Sequence, residues 1–367
     1  MMGAEATRGI GRYIQELVAA MLIENAGRTD KHTFILITRS TDHPFARHPA
    51  IETIVADVPW YGLAEQFKLP EAFRRAKADI VHVPHWNIPV FMSGPFVVTL
   101  HDLLLRHYPQ SAKSSTRNFF VRSVKMLGYR VVLSTAIRRA RRILTPSHFV
   151  AHDVASFYKH IEHKIVVTGE GMPPIDEQAF SNDRNRPYLL YVGSAYPHKG
   201  LDGLLIAWSK ISVMHPDLRL KIVGEKDDFM TGLENEAADS GLKNIDFLGR
   251  VNDQALGRLY AGAWAFVFPS LFEGFGLPPL EALAHGCPVI CSDAGSLPEV
   301  VGPDNAFFFR AGDPDAILGA VQRVLANPEA ARAAARIAAQ DCARRHSWKA
   351  AAHATLEAYM AAYSPAA

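Results

Sequence analysis

The segment from Trp264 to Ala282 constrains the fold most, because it combines an apolar strand, a glycine-bearing turn and the start of a helix. Its first residues, Trp264–Phe268, are an apolar run of strand length. Pro278 and Pro279 fit the first turn of a helix, where a missing N–H does no harm. The segment therefore predicts a buried strand that passes through a short turn into a helix.

The turn before this helix is suited to an anion. The backbone N–H groups of Phe275, Gly276 and Leu277 are expected to point out of the helix N-terminus, where they and the helix dipole favour negative charge. Glu273 and Glu281 flank the turn, and their carboxylates can accept hydrogen bonds from sugar hydroxyls. Hydroxyls on both sides of a phosphate indicate a nucleotide sugar as the ligand.

The stretch Glu273–Glu281 and the strand and loop after it, Pro288–Val300, resemble the Glu-x7-Glu region of family 4 retaining glycosyltransferases. The resemblance implies that Glu273 contacts hydroxyls of the transferred sugar and that Glu281 contacts the ribose. It also implies that the backbone between them contacts sugar and phosphate, through Gly274, Phe275, Gly276 and Leu277. The alternative is that this segment is an ordinary strand–turn–helix without a ligand, in which a buried glutamate only caps a neighbouring structural element.

The rest of the chain alternates apolar strands with amphipathic helical stretches, which predicts an α/β fold with parallel sheets. The resemblance implies the GT-B fold, in which two Rossmann-like, doubly wound domains face a cleft. The predicted strands, in chain order, are 34–37, 51–55, 80–83, 96–100, 142–145, 165–167, 188–193, 218–224, 245–249, 266–268, 289–291 and 306–309.

A length of 367 residues suggests two domains. The polar stretch Ser181–Pro187 reads as the linker between them. We predict an acceptor-binding domain over residues 1–183 and a nucleotide-sugar-binding domain over residues 184–347. By resemblance, the C-terminal helix within residues 348–367 crosses back to the first domain.

A second site element lies between Gly193 and Gly200, where a strand ends at a glycine and a lysine precedes the next helix. It resembles the diphosphate loop of the family, so Lys199 is the candidate for stabilising the leaving nucleoside diphosphate. Many family members carry an arginine where this chain has Ser194. Arg250, which precedes Val251, is the candidate for the charge that is then missing, and a solvated lysine at a helix start is the alternative for Lys199.

Two further elements come from the first half of the chain. His101 follows the predicted strand 96–100 and resembles the family histidine that lines the sugar pocket, although a lone histidine is more often structural. Gly9 and Gly11 resemble the first loop of the family, which lies close to the donor phosphates and the acceptor. An apolar strand of ~6 residues normally precedes that loop, and Met1–Ala6 are too short and too polar to supply it. Either the sequence starts late or the strand is missing, which would leave an exposed edge or a gap in the sheet.

Composition limits the class of protein. The formal net charge is +2, and no apolar run reaches the ~18 residues of a membrane span, so we expect a cytoplasmic enzyme that does not bind nucleic acid. The three cysteines are expected to be free, buried thiols. Between Leu103 and His152 the chain has ten lysines and arginines and no acidic residue. This stretch predicts contact with the inner face of the plasma membrane. The alternatives are a solvated basic helix pair packed on the first domain and a face that steers anionic substrates.

The motifs Gly-Ile-Gly-Arg-Tyr at residues 9–13 and His-Asp-Leu at residues 101–103 together resemble polysaccharide mannosyltransferases. This resemblance makes GDP-mannose the expected donor and a glycan or polyprenyl-linked saccharide the expected acceptor. UDP-glucose and UDP-N-acetylglucosamine remain alternatives, as does a catalytically silent protein that binds sugar nucleotides. The resemblance implies retention of configuration. Asp313-Pro314-Asp315 reads as a helix cap rather than a metal site, so we expect no metal and no other cofactor.

Overall fold

The protein is described by a computed structural model that covers residues 9–59, 62–111, 119–176 and 187–363. The strands of these residues, in chain order, are β1 Phe34–Thr38, β2 Ile51–Val55, β3 Val81–Val83, β4 Phe96–Thr99, β5 Arg142–Thr145, β6 Ile165–Val167, β7 Tyr188–Val192, β8 Arg219–Val223, β9 Ile245–Gly249, β10 Ala265–Phe268, β11 Val289–Ser292 and β12 Phe307–Phe309. Every predicted strand is present, with each end within one residue of its predicted position.

The helices alternate with these strands. In chain order they are α1 Ile10–Ala26, α2 Leu63–Ala76, α3 Leu104–His107, α4 Phe119–Arg139, α5 His148–Phe157, α6 Leu201–Met214, α7 Asp228–Asp239, α8 Asp253–Gly262, α9 Leu277–Ala284, α10 Leu297–Val301, α11 Pro314–Ala326, α12 Pro328–Arg345 and α13 Trp348–Tyr363. Single 3₁₀ turns occur at Pro109–Ser111, Glu162–Lys164 and Pro197–Lys199. Side-chain caps start several helices, because an Asx or Ser oxygen can satisfy an N–H of the first turn; the capping residues are Ser147, Asp227, Asn252, Asp313 and Asn327.

The chain divides into two compact units. The N-terminal unit comprises residues 1–103, 114–171 and 347–367, and the C-terminal unit comprises residues 104–113 and 172–346. Residues 104–111 thus pack with the C-terminal unit, which no sequence pattern indicated. The predicted linker, Ser181–Pro187, lies outside the described residues except for Pro187.

The C-terminal unit is built on a six-stranded parallel sheet with the strand order β12-β11-β10-β7-β8-β9. The central strand β10 is buried throughout, as expected for a parallel strand covered by helices on both faces. The order reverses between β7 and β10. In a doubly wound sheet, such a reversal opens a crevice at the carboxyl ends of the strands, where ligands bind.

The N-terminal unit contains two parallel sheets, a pair β1-β2 and a four-stranded sheet β3-β4-β5-β6. Helix α13 packs against α1 and against the strands of the four-stranded sheet. No strand precedes α1 in the described part of the chain. The predicted α/β class with two parallel-sheet units is confirmed.

Two predictions about composition can be compared with the structure. Cys287, Cys291 and Cys342 are free and buried, as predicted. Among the helices of the described ranges, none combines the length and the apolar character that a bilayer crossing requires.

Candidate functional site

The candidate site of the C-terminal unit lies where the strand order reverses. The loop after β7 carries Lys199, and the loop after β10 carries Glu273. Because β7 and β10 are hydrogen-bonded neighbours in a parallel sheet, both loops leave the sheet at its carboxyl edge. Two segments that are 74 residues apart in the sequence therefore meet at one point.

Lys199 and Glu273 form an ion pair. The Lys199 Nζ atom donates to Glu273 Oε1 at 2.6 Å, and the two side chains are only 17% and 13% exposed. The ammonium group also lies 5.4 Å from the centroid of the Phe268 ring. The low exposure means that the pair is screened less than a surface pair, so each group fixes the position of the other.

The backbones of the two loops are also hydrogen-bonded to each other. The N–H of Leu271 donates to the carbonyl of His198 at 2.7 Å. Gly200 has a φ of +68°, and a Cβ atom there would lie 2.2 Å from the carbonyl oxygen of Pro269. A glycine is therefore required at this position both for its conformation and for the close approach of the loops.

The N-terminus of α9 presents backbone N–H groups at the end of the glutamate loop. Gly276 precedes the helix with a φ of +103°, and no side chain caps it. Pro278 and Pro279 have no N–H, so Gly276 and Leu277 retain the N–H groups of the first turn. Neither N–H has a hydrogen-bond partner among the described residues. The loop thus presents two backbone donors and the positive end of a helix dipole.

The loop after β11 holds the glutamate loop in place. The Ser296 hydroxyl donates to the carbonyls of Glu273 and Phe275 at 3.1 and 3.0 Å, and the Ser296 N–H donates to the Glu273 carbonyl at 3.1 Å. Gly295 has a φ of +60°, and a Cβ atom there would lie 2.4 Å from the Glu273 carbonyl oxygen. The backbone of Glu273 is therefore positioned by contacts that leave no room for a side chain at residue 295.

Glu281 lies on α9, one turn into the helix. Its carboxylate accepts a hydrogen bond from the Tyr260 hydroxyl at 3.2 Å, and the residue is 9% exposed. Tyr191 is a second buried phenol near the site, and its hydroxyl donates to the Ser194 carbonyl at 2.7 Å. Burial and the negative charge of Glu273 raise the pKa of Tyr191 well above its usual value. It therefore remains a neutral hydrogen-bond donor.

The other predicted donor-site residues follow β7 and β9. Gly193 and Gly224 approach closely, since a Cβ atom on Gly224 would lie 2.1 Å from the Gly193 carbonyl oxygen. Arg250 is exposed at the carboxyl end of β9, while Val251 packs against the core. Strand β8 separates β9 from β7, so the end of β9, where Arg250 lies, is about 10 Å along the sheet from the end of β7, whose following loop carries Lys199.

The candidates of the N-terminal unit surround the carboxyl end of β4. The His101 Nε2–H donates to the Pro84 carbonyl at 3.2 Å, and His101 Nδ1 lies 3.5 Å from Glu170 Oε1. The ring also makes an edge contact with Tyr13, at 4.7 Å between centroids. Gly9 precedes α1 with a φ of +39°, and Gly11 is buried in its first turn. Gly9, Gly11 and His101 are thus assembled around the same end of the sheet.

Sequence reasoning missed three residues that position the candidates: Glu170, Tyr260 and Ser296. Glu170 stands in Gly169-Glu170-Gly171 after β6, so a carboxylate between two glycines at a strand end was a detectable signal. No comparable pattern marks Tyr260, which reaches Glu281 from the neighbouring helix α8.

Asp313 acts as predicted. Its side chain accepts hydrogen bonds from the N–H groups of Asp315 and Ala316 at 3.0 and 3.1 Å and caps α11. Asp315 pairs with Lys210. Both carboxylates therefore have structural contacts, and the absence of a metal requirement stays a prediction.

Comparisons with known proteins agree with this geometry. Residues 174–341 match the family described as glycosyl transferases group 1, and residues 7–174 match the one described as glycosyltransferase family 4. The chain is 29% identical to O-antigen chain mannosyltransferase B of Escherichia coli over 96% of this chain and 95% of that protein. It is 28% identical to O-antigen chain mannosyltransferase RfbU of Salmonella typhimurium over 74% of this chain and 72% of that protein.

Solved structures show the same fold. Sucrose-phosphate synthase from Thermosynechococcus elongatus superposes with a TM-score of 0.77 at 22% identity, over 96% of this chain and 93% of that one. The structure of HepE from Anabaena in complex with UDP and glucose gives 0.72 at 18% identity, over 98% of both chains. The two family matches together extend from residue 7 to residue 341. The chain is therefore a glycosyltransferase of family 4, with the GT-B fold.

Proposed function

We propose that this glycosyltransferase moves mannose from GDP-mannose to a hydroxyl of a glycan or lipid-linked oligosaccharide in polysaccharide biosynthesis, with retention of configuration and without a metal. The observation that carries the chemistry is the Lys199–Glu273 pair beside the two N–H groups at the start of α9. The choice of mannose is supported by the similarity to the O-antigen mannosyltransferase of Escherichia coli over nearly the whole of both chains.

The donor diphosphate binds at the N–H groups of Gly276 and Leu277 and at the Lys199 ammonium. These groups face the oxygen on which negative charge develops as the glycosidic bond breaks, so they stabilise the leaving GDP. The positive charge of Lys199 is already offset by Glu273. A further cation is therefore needed at this site, and exposed Arg250 at the end of β9 is the candidate.

Glu273 and Glu281 orient the two ends of the donor. The Glu273 carboxylate accepts hydrogen bonds from hydroxyls of mannose, and the Glu281 carboxylate accepts from the ribose. In the reaction, the bond between the anomeric carbon and the phosphate oxygen breaks. An acceptor hydroxyl attacks the same face of the sugar, and its proton passes to the departing phosphate. Neither glutamate needs to form a covalent intermediate in this scheme.

In the N-terminal unit, His101 is our candidate for a contact with the transferred sugar. Its ring is held by the Pro84 carbonyl, by Glu170 and by the edge of Tyr13. A fixed ring orientation favours a specific contact, because little side-chain entropy is lost when the sugar binds.

We also propose that helix α4 rests on an anionic membrane surface. Val124, Leu127 and Val131 are 70%, 63% and 49% exposed, and their spacing places them on one face of the helix. Exposed Lys125 and Arg130 flank this stripe. An apolar stripe edged by basic residues is typical of helices that lie in the membrane interface, and it suits a polyprenyl-linked acceptor.

The test of the donor combines binding with turnover. Calorimetric titration with GDP and with UDP is expected to show tighter binding of GDP, weakened by Glu281→Ala. Incubation with acceptor and GDP-mannose, UDP-glucose or UDP-N-acetylglucosamine is expected to release only GDP. Preference for UDP would move the donor to a UDP-sugar. Binding of nucleotide without consumption of any donor would indicate a silent sugar-nucleotide-binding protein and overturn the proposal.

A further inference from the structure

The segment 104–111 packs in the C-terminal unit, beside the loops that follow β7 and β10. It consists of α3 and the 3₁₀ turn that comes after it. The side chains that contact the two loops are those of His107, Tyr108 and Ser111. The segment thus reaches the residues next to both members of the Lys199–Glu273 pair, and none of its side chains takes part in the proposed chemistry.

Ser111 and His198 form a buried polar contact. The Ser111 hydroxyl oxygen lies 3.0 Å from His198 Nδ1, and the two residues are 4% and 5% exposed. Burial and the charge of Lys199 lower the pKa of the imidazole to about 3, so at neutral pH the contact is a hydrogen bond between uncharged groups. Loss of either partner would leave the other polar group buried without this hydrogen bond, which is unfavourable.

His198 stands immediately before Lys199 in a single 3₁₀ turn. The Lys199 N–H donates to the Tyr196 carbonyl at 2.8 Å, which closes the turn. The Cα atoms of neighbouring residues are held about 3.8 Å apart by the peptide bond. A shift of the backbone at His198 would therefore carry the base of the Lys199 side chain with it.

His107 and Tyr108 contact the loop that carries Glu273. The Tyr108 hydroxyl donates to the Leu271 carbonyl at 3.4 Å. The centroids of the His107 and Tyr108 rings lie 4.7 and 6.0 Å from the centroid of the Phe272 ring. Phe272 is 7% exposed and directly precedes Glu273. The segment therefore contacts the backbone on the Glu273 side of the ion pair as well as on the Lys199 side.

These contacts close into a ring of four hydrogen bonds. The Leu271 N–H donates to the His198 carbonyl at 2.7 Å, and the Ser111 N–H donates to the Tyr108 carbonyl at 2.9 Å. The hydrogen-bond ring thus runs through Tyr108, Ser111, His198, Leu271 and back to Tyr108. Hydrogen bonds in a connected network support one another, so a change at one link affects the others. The Lys199–Glu273 ion pair leaves the chain just after two members of this ring.

A fixed backbone matters at this site because the Lys199 side chain has two partners. In the structure its ammonium group binds Glu273, and in the proposed reaction it binds the diphosphate. A flexible lysine stem can turn between two such positions while its Cα atom stays in place. An error of about 1 Å in the position of a reacting group can cost about 10²-fold in rate. The hydrogen-bond ring holds the backbone of both residues while the ammonium group exchanges partners.

We propose that the segment 104–111 is a positioning element of the donor site. Ser111 and Tyr108 are its positioning residues, and neither touches the donor. Ser111 acts through His198 on Lys199, and Tyr108 acts through Leu271 on the loop of Glu273. This role rests on the proposed function, since it requires that Lys199 and Glu273 hold the donor.

The kinetic test is a double-mutant cycle of Ser111→Ala and Lys199→Ala, measured with whichever of GDP-mannose, UDP-glucose and UDP-N-acetylglucosamine the wild type consumes. Ser111→Ala alone should lower kcat by about tenfold and change KM for the donor by less than about threefold, because positioning is needed most in the transition state. In the Lys199→Ala background it should lower kcat by less than about twofold, since the group that it positions is gone. Ser209→Ala is the control, because that hydroxyl bonds only within α6 among the described residues.

Amide hydrogen exchange tests the hydrogen-bond ring without any donor. Ser111→Ala and Tyr108→Phe should each speed exchange of the Leu271 N–H by about fivefold or more and leave the amides of β8 unchanged. Tyr108→Phe keeps the aromatic ring beside Phe272 and removes only the hydroxyl, so it disturbs packing little. Tyr188→Phe is its matched control, because the Tyr188 hydroxyl donates to the Leu259 carbonyl at 2.7 Å in the same unit.

Two results would overturn the proposal. One is a loss of kcat from Ser111→Ala that is equally large with and without Lys199, which would indicate a general disturbance of the unit. The other is unchanged exchange of the Leu271 N–H in both Ser111→Ala and Tyr108→Phe. A wild type that consumes none of the three donors would refute the proposed function together with this role, whereas equal losses in an active enzyme would refute this role alone.

Discussion

The Lys199 ammonium and the Glu273 carboxylate lie 2.6 Å apart, although they belong to loops after two different strands of one sheet. Each is more than four-fifths buried. The pair couples the group that would bind phosphate to the group that would bind sugar. Changes to either residue should therefore affect diphosphate and sugar in different ways, which allows their roles to be separated.

Removal of the Lys199 charge is expected to impair departure of the diphosphate. Lys199→Ala should lower kcat/KM for GDP-mannose by about 10²–10³-fold, the usual cost of losing one donor to a developing anion. Lys210→Ala is the matched control, since Lys210 is 51% exposed and pairs with Asp315 on the surface. The rate of GDP release in a coupled assay gives kcat/KM for both variants. An effect of Lys199→Ala no larger than that of the control would exclude the proposed role.

Glu273→Gln is expected to separate binding of the nucleotide from transfer of the sugar. Loss of the carboxylate frees Lys199 for the diphosphate, so affinity for GDP should stay equal or rise by a few-fold. The contacts to the sugar are weakened, and kcat for transfer should fall by about 10²-fold or more. Calorimetry with GDP gives the affinity, and a turnover assay gives kcat. A parallel loss of GDP affinity and turnover would mean that Glu273 acts on the nucleotide instead.

Gly295→Ala is expected to disturb the glutamate loop. A Cβ atom there meets the backbone of Glu273 at 2.4 Å, and φ is +60°. Gly241→Ala is the matched control, because Gly241 has a φ of +66° but no atom within 4 Å of the added Cβ. Both variants bear a conformational cost of about 1 kcal/mol. Only Gly295→Ala should also lower transfer, by about tenfold or more. Equal activity in the two variants would show that the contact does not position Glu273.

Stability at acid pH is expected to depend on His198. Burial and the neighbouring Lys199 lower the pKa of this imidazole to about 3, and its Nδ1 lies 3.0 Å from the Ser111 hydroxyl oxygen. In the unfolded chain the pKa is about 6.5, so between these values the unfolded state binds the extra proton. The contribution of neutral His198 to the free energy of unfolding is therefore complete above pH 6.5 and is lost as the pH falls toward 3.

Urea unfolding at several pH values checks this dependence. His198→Asn should reduce the fall in unfolding free energy between pH 6.5 and 4.5, by at most about 1.4 kcal/mol per pH unit. His353→Asn is the control, since that side chain is 57% exposed. Identical slopes for the wild type and His198→Asn would contradict the prediction.

Membrane contact is expected to depend on the exposed stripe of α4. The triple variant Val124→Gln, Leu127→Gln, Val131→Gln should lower binding to vesicles that contain anionic lipid by at least about tenfold. Val213→Gln with Ile337→Gln changes two side chains of the C-terminal unit that are 80% and 69% exposed, and it should have no effect. If both variants sediment equally with the vesicles, helix α4 is not the part of the protein that binds the membrane.

The sequence predicted the strands well because parallel strands are continuous apolar runs bounded by polar or glycine residues, as in Ala265–Phe268. It also predicted the glutamate loop, since prolines and glycines mark turns locally. The contacts of Ser296 and Tyr260 were not predictable, because they join residues of different loops and helices.

The central claim is that the loops after β7 and β10 form a donor site that works in catalysis. Its most direct test is the release of GDP from GDP-mannose in the presence of acceptor, by the wild type, Glu273→Ala and Lys199→Ala. We predict rapid release of GDP and labelled mannose in the acceptor with the wild type, and losses of about 10²-fold or more in both variants. Near-normal turnover in both variants, or no consumption of donor by a wild type that binds GDP, would contradict it.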